Sequence, residues 1–364
     1  MNNLFIIAAA VAAMAACTKN SVVYDDSQDE IGFIPVPDVV GKANVHGPIG
    51  TDGTGNTGTY PTDETFGVFA YHTTTQGAGT AWNTFHGGQT PSEYINNGEF
   101  VWHADLNSFA GATPYYWPKT GSLAFAGYSP YADLNDKVDY APEQTAPGLT
   151  IANFVQGTYN WVHNATAVTN ETIDVMWFDV NDQNSASQND VAVVFKHALT
   201  WIDFNLKEAV GTADNMFTIK KVTLTNIYPG GDFTSATDTW TPNGTLTDIV
   251  LFYNDATGTN LTADAVLDLG KLLIVPQAVG GNKPNSAKSQ IVIEYTQNTS
   301  ASEPLTETIT SDLTASDVSG IQTWELGKHY TYNISFSLNE IEITATVADW
   351  DVANGGDITV GGNN

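Results

Sequence analysis

The side chains with chemistry to offer are one thiol, seven imidazoles and forty carboxylates. Cys17 is the only cysteine, so the chain holds no internal disulfide and no multi-thiolate metal site. A nucleophilic cysteine needs a base and an orienting group, and nothing near Cys17 in the sequence supplies either. The histidines, at positions 46, 72, 86, 103, 163, 197 and 329, form no pair at metal-ligand spacing. HExxH, GxSxG and a phosphate-cradling glycine loop are all absent. "DLNDKVD" (133–139) and "DVNDQN" (179–184) place acids and amides where calcium could use them, but both lack the glycine at the sixth position, and Asp/Asn-rich turns are ordinary turns. Forty acids give close carboxylate pairs by chance, so composition does not mark a glycosidase. The aromatic run Tyr115, Tyr116, Trp117 could stack on sugars, although aromatics in a two-sheet fold more often form core. No catalytic constellation is visible. The expectation is a protein that is not an enzyme, with no cofactor and no metal.

The position of Cys17 gives it a different meaning. Residues 4–16, "LFIIAAAVAAMAA", are an uncharged apolar run. The run is shorter than the about 20 residues a transmembrane helix needs, and it fits the core of a secretory signal. Ala15 and Ala16 precede Cys17 directly. An apolar run, two small residues and a cysteine together resemble a bacterial lipobox, in which the thiol is acylated and becomes the new N-terminus. Residues 1–16 then read as a lipoprotein signal peptide and 17–30 as an acidic tether.

The net charge of −28 arises from 40 acids against 12 bases, all lysine. Such a chain is repelled by phosphate backbones, which argues against nucleic acid as a partner. The 42% hydrophobic content and 40 aromatic residues provide ample surface to bury, which argues against disorder.

The elements that must carry any function read as strands. "EIGFIPVPDVV" predicts a short first strand, which Pro35 and Pro37 would restrict to a sheet edge. Residues 41–63 are glycine-rich and without apolar period, a flexible loop. From Phe66 onward, short aromatic and β-branched runs alternate with turn residues, and no dozen-residue stretch has an apolar stripe at helical spacing. In "DVAVVFKHALTWIDFNL" the apolar parity reverses between Val191/Val193/Phe195 and Ile202/Phe204/Leu206, which requires a bulge or bend between His197 and Ile202. His197 is expected to be a hydrogen-bonded structural residue there. "KLLIVPQ" reads as a strand covered on both faces, and the parity switch at "LNEI" as a tight hairpin or a bulge. The fold class is all-β, with two β-sandwich domains of antiparallel sheets. Their expected limits are 31–188 and 189–364.

The order of these landmarks resembles the fimbrillin family of Bacteroidales, the lipoprotein precursors of type V pili. It runs from the lipobox cysteine through "EIGFIPV", "TFGVFAY", "YYWP", "LAFAGYSPY", "VVFKHALTWIDFNL", "KKVTLTNI", "LLIVPQ" and "WELGKHYTYNISF" to "ADW". The resemblance implies sandwiches of transthyretin-like type and a structural role as a fimbrial subunit or adhesin on the outer-membrane surface. It also implies donor-strand assembly: the first strand, here Ile31, Phe33 and Ile34, is cut away, and a strand of another subunit fills the groove by β-augmentation. Members of the family are often trimmed at arginine, which this chain lacks; Lys42, the only basic residue between Lys19 and Lys119, takes its place as the candidate cleavage position. The tail after Trp350 is a second departure from the family pattern: only "DITV" in it looks like a strand, which makes it a poor donor for the next subunit. The alternative reading is a non-polymerising surface lipoprotein that binds host or bacterial glycans through Tyr115, Tyr116 and Trp117.

Overall fold

The computed structural model describes residues 29–36, 60–74, 91–142, 147–157, 159–160, 169–170, 172–185, 190–212, 215–254, 257–298, 304–314, 321–350 and 358–360. Cys17 and Lys42 lie outside these residues. In the first half of the chain the strands are β1 (Gly32–Pro35), β2 (Phe66–Thr73), β3 (Ser92–His103), β4 (Ser108–Gly111) and β5 (Ser122–Ser129). One turn of helix, Tyr131–Leu134, follows, then β6 (Val138–Ala141), β7 (Gly148–Val155), β8 (Tyr159–Asn160), β9 (Thr169–Asn170) and β10 (Met176–Gln183). The chain continues through β11 (Asp190–Val193), β12 (Lys196–His197), β13 (Thr200–Glu208), β14 (Phe217–Ile227), β15 (Gly230–Thr234), β16 (Thr239–Asn243), β17 (Thr247–Tyr253) and β18 (Thr259–Asn260). It ends with β19 (Leu267–Ile274), β20 (Gln277–Ala278), β21 (Gln290–Gln297), β22 (Leu305–Asp312), β23 (Thr323–Trp324), β24 (Lys328–Phe336), β25 (Ile341–Asp349) and β26 (Ile358–Val360).

The first sheet has eight strands in the order β11-β1-β4-β3-β2-β5-β10-β12. Its two ends, β11 and β12, are separated in sequence only by Val194 and Phe195, so the sheet curls back on itself. Alternating residues of its strands, with Phe195 from the link between β11 and β12, fill the interior with rings, among them Phe33, Phe66, Phe100, Phe109, Phe125 and Phe178. Two further sheets, β19-β13-β24-β25-β26 and β17-β14-β21-β22, enclose a second core. Ile202, Phe204 and Leu206 enter it from β13, Val222 and Leu224 from β14, and Tyr332, Ile334 and Phe336 from β24. A third cluster lies beneath the four-stranded sheet β16-β15-β7-β6, which joins strands from both halves of the chain. At that seam Gly230 is required, because a Cβ there would stand 1.8 Å from the carbonyl oxygen of Phe154.

Several expectations acquire a physical form. The parity reversal after His197 is a bend at Leu199, where the chain leaves the first sheet and enters β13 of another. Residues 190–197, expected in the second domain, pair in the first sheet with β1 and β10. The apolar run of β19 divides its faces between two cores: Leu272 and Ile274 enter one, Leu273 and Val275 the other. "LNEI" is the hairpin loop between β24 and β25, closed by Phe336 opposite Ile341. In β14 the register slips between Ile219 and Lys221, which brings Ile219, Val222 and Leu224 into one core. Pairing is mostly antiparallel, with parallel exceptions at β1–β11 and β13–β24.

The first strand is a correction. β1 is not an edge strand: it lies between β11 and β4. Pro35 is tolerated because β1 pairs with β4 only at Gly32 and Phe33, whereas its parallel pairing with β11 continues to Pro35 opposite Val193. By Pro35 the β4 side is already open, and the missing N–H leaves no ladder bond unmade.

Candidate functional site

The seat of β1 is the most elaborate local structure near the start of the chain. Its backbone is held on both sides. The Ile31 N–H donates to the carbonyl of Tyr115 at 2.7 Å, the Trp117 N–H donates to that of Asp29 at 3.1 Å, and the Val36 N–H donates to that of Val193 at 2.8 Å. Glu30 forms a bridge with Tyr116. Tyr115–Trp117 thus forms a backbone clamp on the residues leading into β1. Nothing in the spacing of residues 29–36 and 115–117 indicates that these two segments meet.

The side chains alternate as a strand requires. Ile31 and Phe33 are fully buried, and Ile34 between them and solvent is 38% exposed. The Phe33 ring meets Phe100 at 5.0 Å, Phe125 at 5.1 Å and Phe66 at 5.9 Å, each edge to face, and Phe178 at 5.8 Å. Edge-to-face geometry sets the positive ring edge against a negative ring face, adding about 0.5–1.5 kcal/mol per pair beyond burial. Tyr60, inside the glycine-rich stretch 41–63 expected to be a flexible loop, is buried and closes this socket by stacking on Phe195 at 4.9 Å. Its hydroxyl shares a 2.7 Å hydrogen bond with Ser129, and burial pushes its pKa well up, so it stays neutral. Where the chain enters β1, a cleft of about 400 Å³ is bordered by Asp29, Glu30 and Asp190 together with Gly32 and Ser108.

The three aromatics singled out for sugar stacking have different fates. Trp117 is 1% exposed and set edge-on to Phe125, so its faces are not open to a ligand. Tyr115 is half-buried, stacks on Phe100 at 5.9 Å, and covers Gly98 and Gly111, where a Cβ would collide with its ring. Tyr116 is half-buried.

A second cluster, unforeseen as a unit, gathers His197, Trp201, His329 and Trp350. His197 is 1% exposed, pairs through Nδ1 with Asp174 at 3.0 Å, and lies flat on Trp350 with centroids 3.9 Å apart. His329 lies flat on Trp201 at 3.9 Å and bonds Asp203 through Nε2 at 2.7 Å; the Trp201 indole N–H donates to the other carboxylate oxygen at 2.6 Å. Thr331 Oγ1 approaches the same Nε2 at 3.3 Å. A nucleophile–base–orienter relay uses both nitrogens of the imidazole, and here acid and hydroxyl share one. Lys271 covers Trp201 at 4.6 Å. The His329 arrangement therefore lacks the geometry of such a relay. The signal was present in "FKHALTW", "GKHYTY" and "ADW", which contain these residues, but their convergence is not readable from separations of more than 100 residues.

Lys283 is a buried cation without a carboxylate among its hydrogen-bond acceptors. Its ammonium donates to the Asn226 carbonyl at 2.6 Å, Ser289 Oγ at 2.6 Å and Gln277 Oε1 at 3.1 Å, and burial lowers its pKa to about 8. Neither calcium candidate becomes a cage: among the described residues no three His, Cys, Asp or Glu side chains converge as metal ligands. No helix among them is long and apolar enough to cross a membrane.

The architecture has known counterparts. A fimbrial protein from Bacteroides vulgatus aligns at a TM-score of 0.53 and 20% identity, covering 78% of this chain and 92% of its own. A Bacteroides uniformis protein provisionally assigned to cell adhesion gives 0.48 and 17%, covering 86% and 99%. The C-terminally truncated tip fimbrial protein of Porphyromonas gingivalis gives 0.38 and 13%, covering 79% and 94%. At these identities the likeness speaks to fold alone. No curated protein matches. A model of the fimbrillin-like family, however, matches residues 54–350, from the loop ahead of β2 to the Trp350 ring that rests on His197, and the chain belongs to that family.

Proposed function

We propose that this chain is a structural subunit of a cell-surface fimbria and that β1 is its replaceable strand. The observation that carries the reading is the seat of Phe33: one short strand, clamped by backbone on both sides, plugs a socket of four rings. Ahead of β2, which begins at Phe66, the chain must cross from β1 by way of the loop that holds Lys42. A cut at Lys42 would leave β1 held only by non-covalent contacts, and a strand from another subunit could take its place. Backbone pairing to β4 and β11 would supply affinity, and the ring socket would fix register. The C-terminal strand suits the donor role. β26 lies at a sheet edge, held by three residue pairs to β25, and Ile358 and Val360 repeat the two-residue spacing of Ile31 and Phe33. Acylation at Cys17 would tether the precursor to the outer membrane, temporarily if Lys42 is cut and permanently if it is not. Other fimbrial subunits are the partners, and the burial of Trp117 speaks against a sugar-stacking trio.

The test is mass spectrometry of the mature N-terminus in isolated surface fimbriae, followed by polymerisation of the trimmed subunit in vitro. An N-terminus just after Lys42, with polymers blocked by Ile358→Asp, is the expected result. A chain still beginning at acylated Cys17 throughout the filament overturns the trimming step.

A further inference from the structure

We propose that the seating of β1 and the hold on the C-terminal strand are coupled through the crossover at residues 196–199, so that loss of β1 loosens the segment carrying β26. This rests on reading β1 as the replaceable strand, and it makes a subunit a better donor once it has become an acceptor.

The path consists of direct contacts. Among the described residues β11 is the end strand of its sheet, and its only ladder partner is β1. When β1 leaves, β11 therefore loses its entire ladder, including the bond from Val36 to Val193. Two residues on, Phe195 meets Phe178 at 5.0 Å, and Phe178 in turn touches Phe33 at 5.8 Å. The socket and the ladder thus act on the same short segment.

That segment grips the other end of the chain twice. The His197 ring lies 5° from parallel on Trp350, with Asp174 fixing the imidazole through Nδ1. Behind it the Gly327 N–H donates to the Leu199 carbonyl at 2.9 Å, and the Trp350 N–H donates to the Gly327 carbonyl at 2.9 Å. Gly327 sits at a φ of 67°, so this relay turn depends on glycine. Trp350 follows directly on β25, and β25 is the strand on which β26 pairs, through Ala345, Thr346 and Val347. Coupling of this kind is reciprocal: whatever β1 does to the Trp350 end, the Trp350 end does to β1.

Hydrogen exchange on the full-length protein reads both directions. In Trp350→Ala, exchange across residues 29–36 is expected to rise about tenfold, within the range usual for coupled sites, while β21 (Gln290–Gln297) keeps its protection. In Phe33→Asp, whose buried charge expels β1, exchange across residues 341–350 rises by a similar factor. Phe33→Leu gives a graded version should the charged variant not fold, and Trp350→Phe, which keeps a flat ring, gives a smaller rise at β1. Acceleration confined to the mutated end, or shared equally by β21, overturns the coupling. If coupling fails while trimmed subunits still polymerise, only this inference falls; if coupling holds and trimmed subunits stay monomeric, the donor-strand reading falls instead.

Discussion

Phe33 and Phe125 meet edge to face with centroids 5.1 Å apart, which joins β1 to β5, deep in the same sheet. Neighbouring positions on β1 should therefore differ sharply. Phe33→Ala is expected to cost about 3–5 kcal/mol, the range for truncating a buried ring. Ile34→Ala, at a position 38% exposed, should cost under about 1 kcal/mol. Urea unfolding of both variants measures the contrast, and similar losses would show that β1 is not seated ring-inward.

The aromatic clamp makes a second contrast. Trp117→Ala empties a fully buried site and is expected to lower stability by about 3–5 kcal/mol. Tyr116→Ala, half-buried and contributing its backbone to the bridge with Glu30, should cost far less. Thermal melts distinguish the two, and glycan binding lost with Tyr116 but not Trp117 would reopen sugar recognition.

Lys283 predicts an unusual alkaline gain. Its pKa is about 8 folded and the ordinary 10.5 unfolded, so between these values the unfolded chain binds the extra proton. Stability therefore rises with pH across that window, on the order of 2 kcal/mol between pH 8 and 10. Above pH 10 the sign reverses, because Tyr295 and Tyr330 are raised to about 12 by burial and the unfolded chain ionises first. Lys283→Met should remove the rise between pH 8 and 10 in denaturant titrations and leave the fall above 10.

The buried pair of Asp174 and His197 gives a fourth expectation. Both side chains are 1% exposed. Removing the acid alone, as in Asp174→Ala, is expected to cost about 1–3 kcal/mol, because Nδ1 loses its buried hydrogen-bond partner. Asp174→Asn keeps an oxygen for the Nδ1 proton and should recover a substantial part. Equal losses in urea midpoints for the two variants would deny the hydrogen bond its role.

Much of this fold was legible in the residues themselves. The alternation of Ile202, Phe204 and Leu206, the two-faced run at β19 and the parity switch at "LNEI" are local signals, and local sterics make them strands and a hairpin. Burial of Phe33 was also implied, since alternation places it with Ile31. The position of β1 inside its sheet was not. Proline excludes a strand from the interior only if both neighbours continue past it, and how far β4 extends is a fact about another part of the chain. The bend after His197 was required by parity, but that the chain changes sheets there depends on which strands β12 and β13 find.

The sequence by itself determined an acidic β protein whose bases are all lysine, with no internal disulfide and with an uncharged apolar run ahead of Cys17, because composition, charge and a period of two are properties of the covalent chain. Only the tertiary structure decided that Tyr115–Trp117 clamps the entry to β1, that Lys283 is buried among neutral acceptors, and that His197 lies on Trp350. Apart from the bonds of Lys283 to Gln277 and Ser289, six positions away, those relations join residues tens to more than a hundred positions apart. Burial brings such residues together by filling volume, and volume is indifferent to separation along the chain.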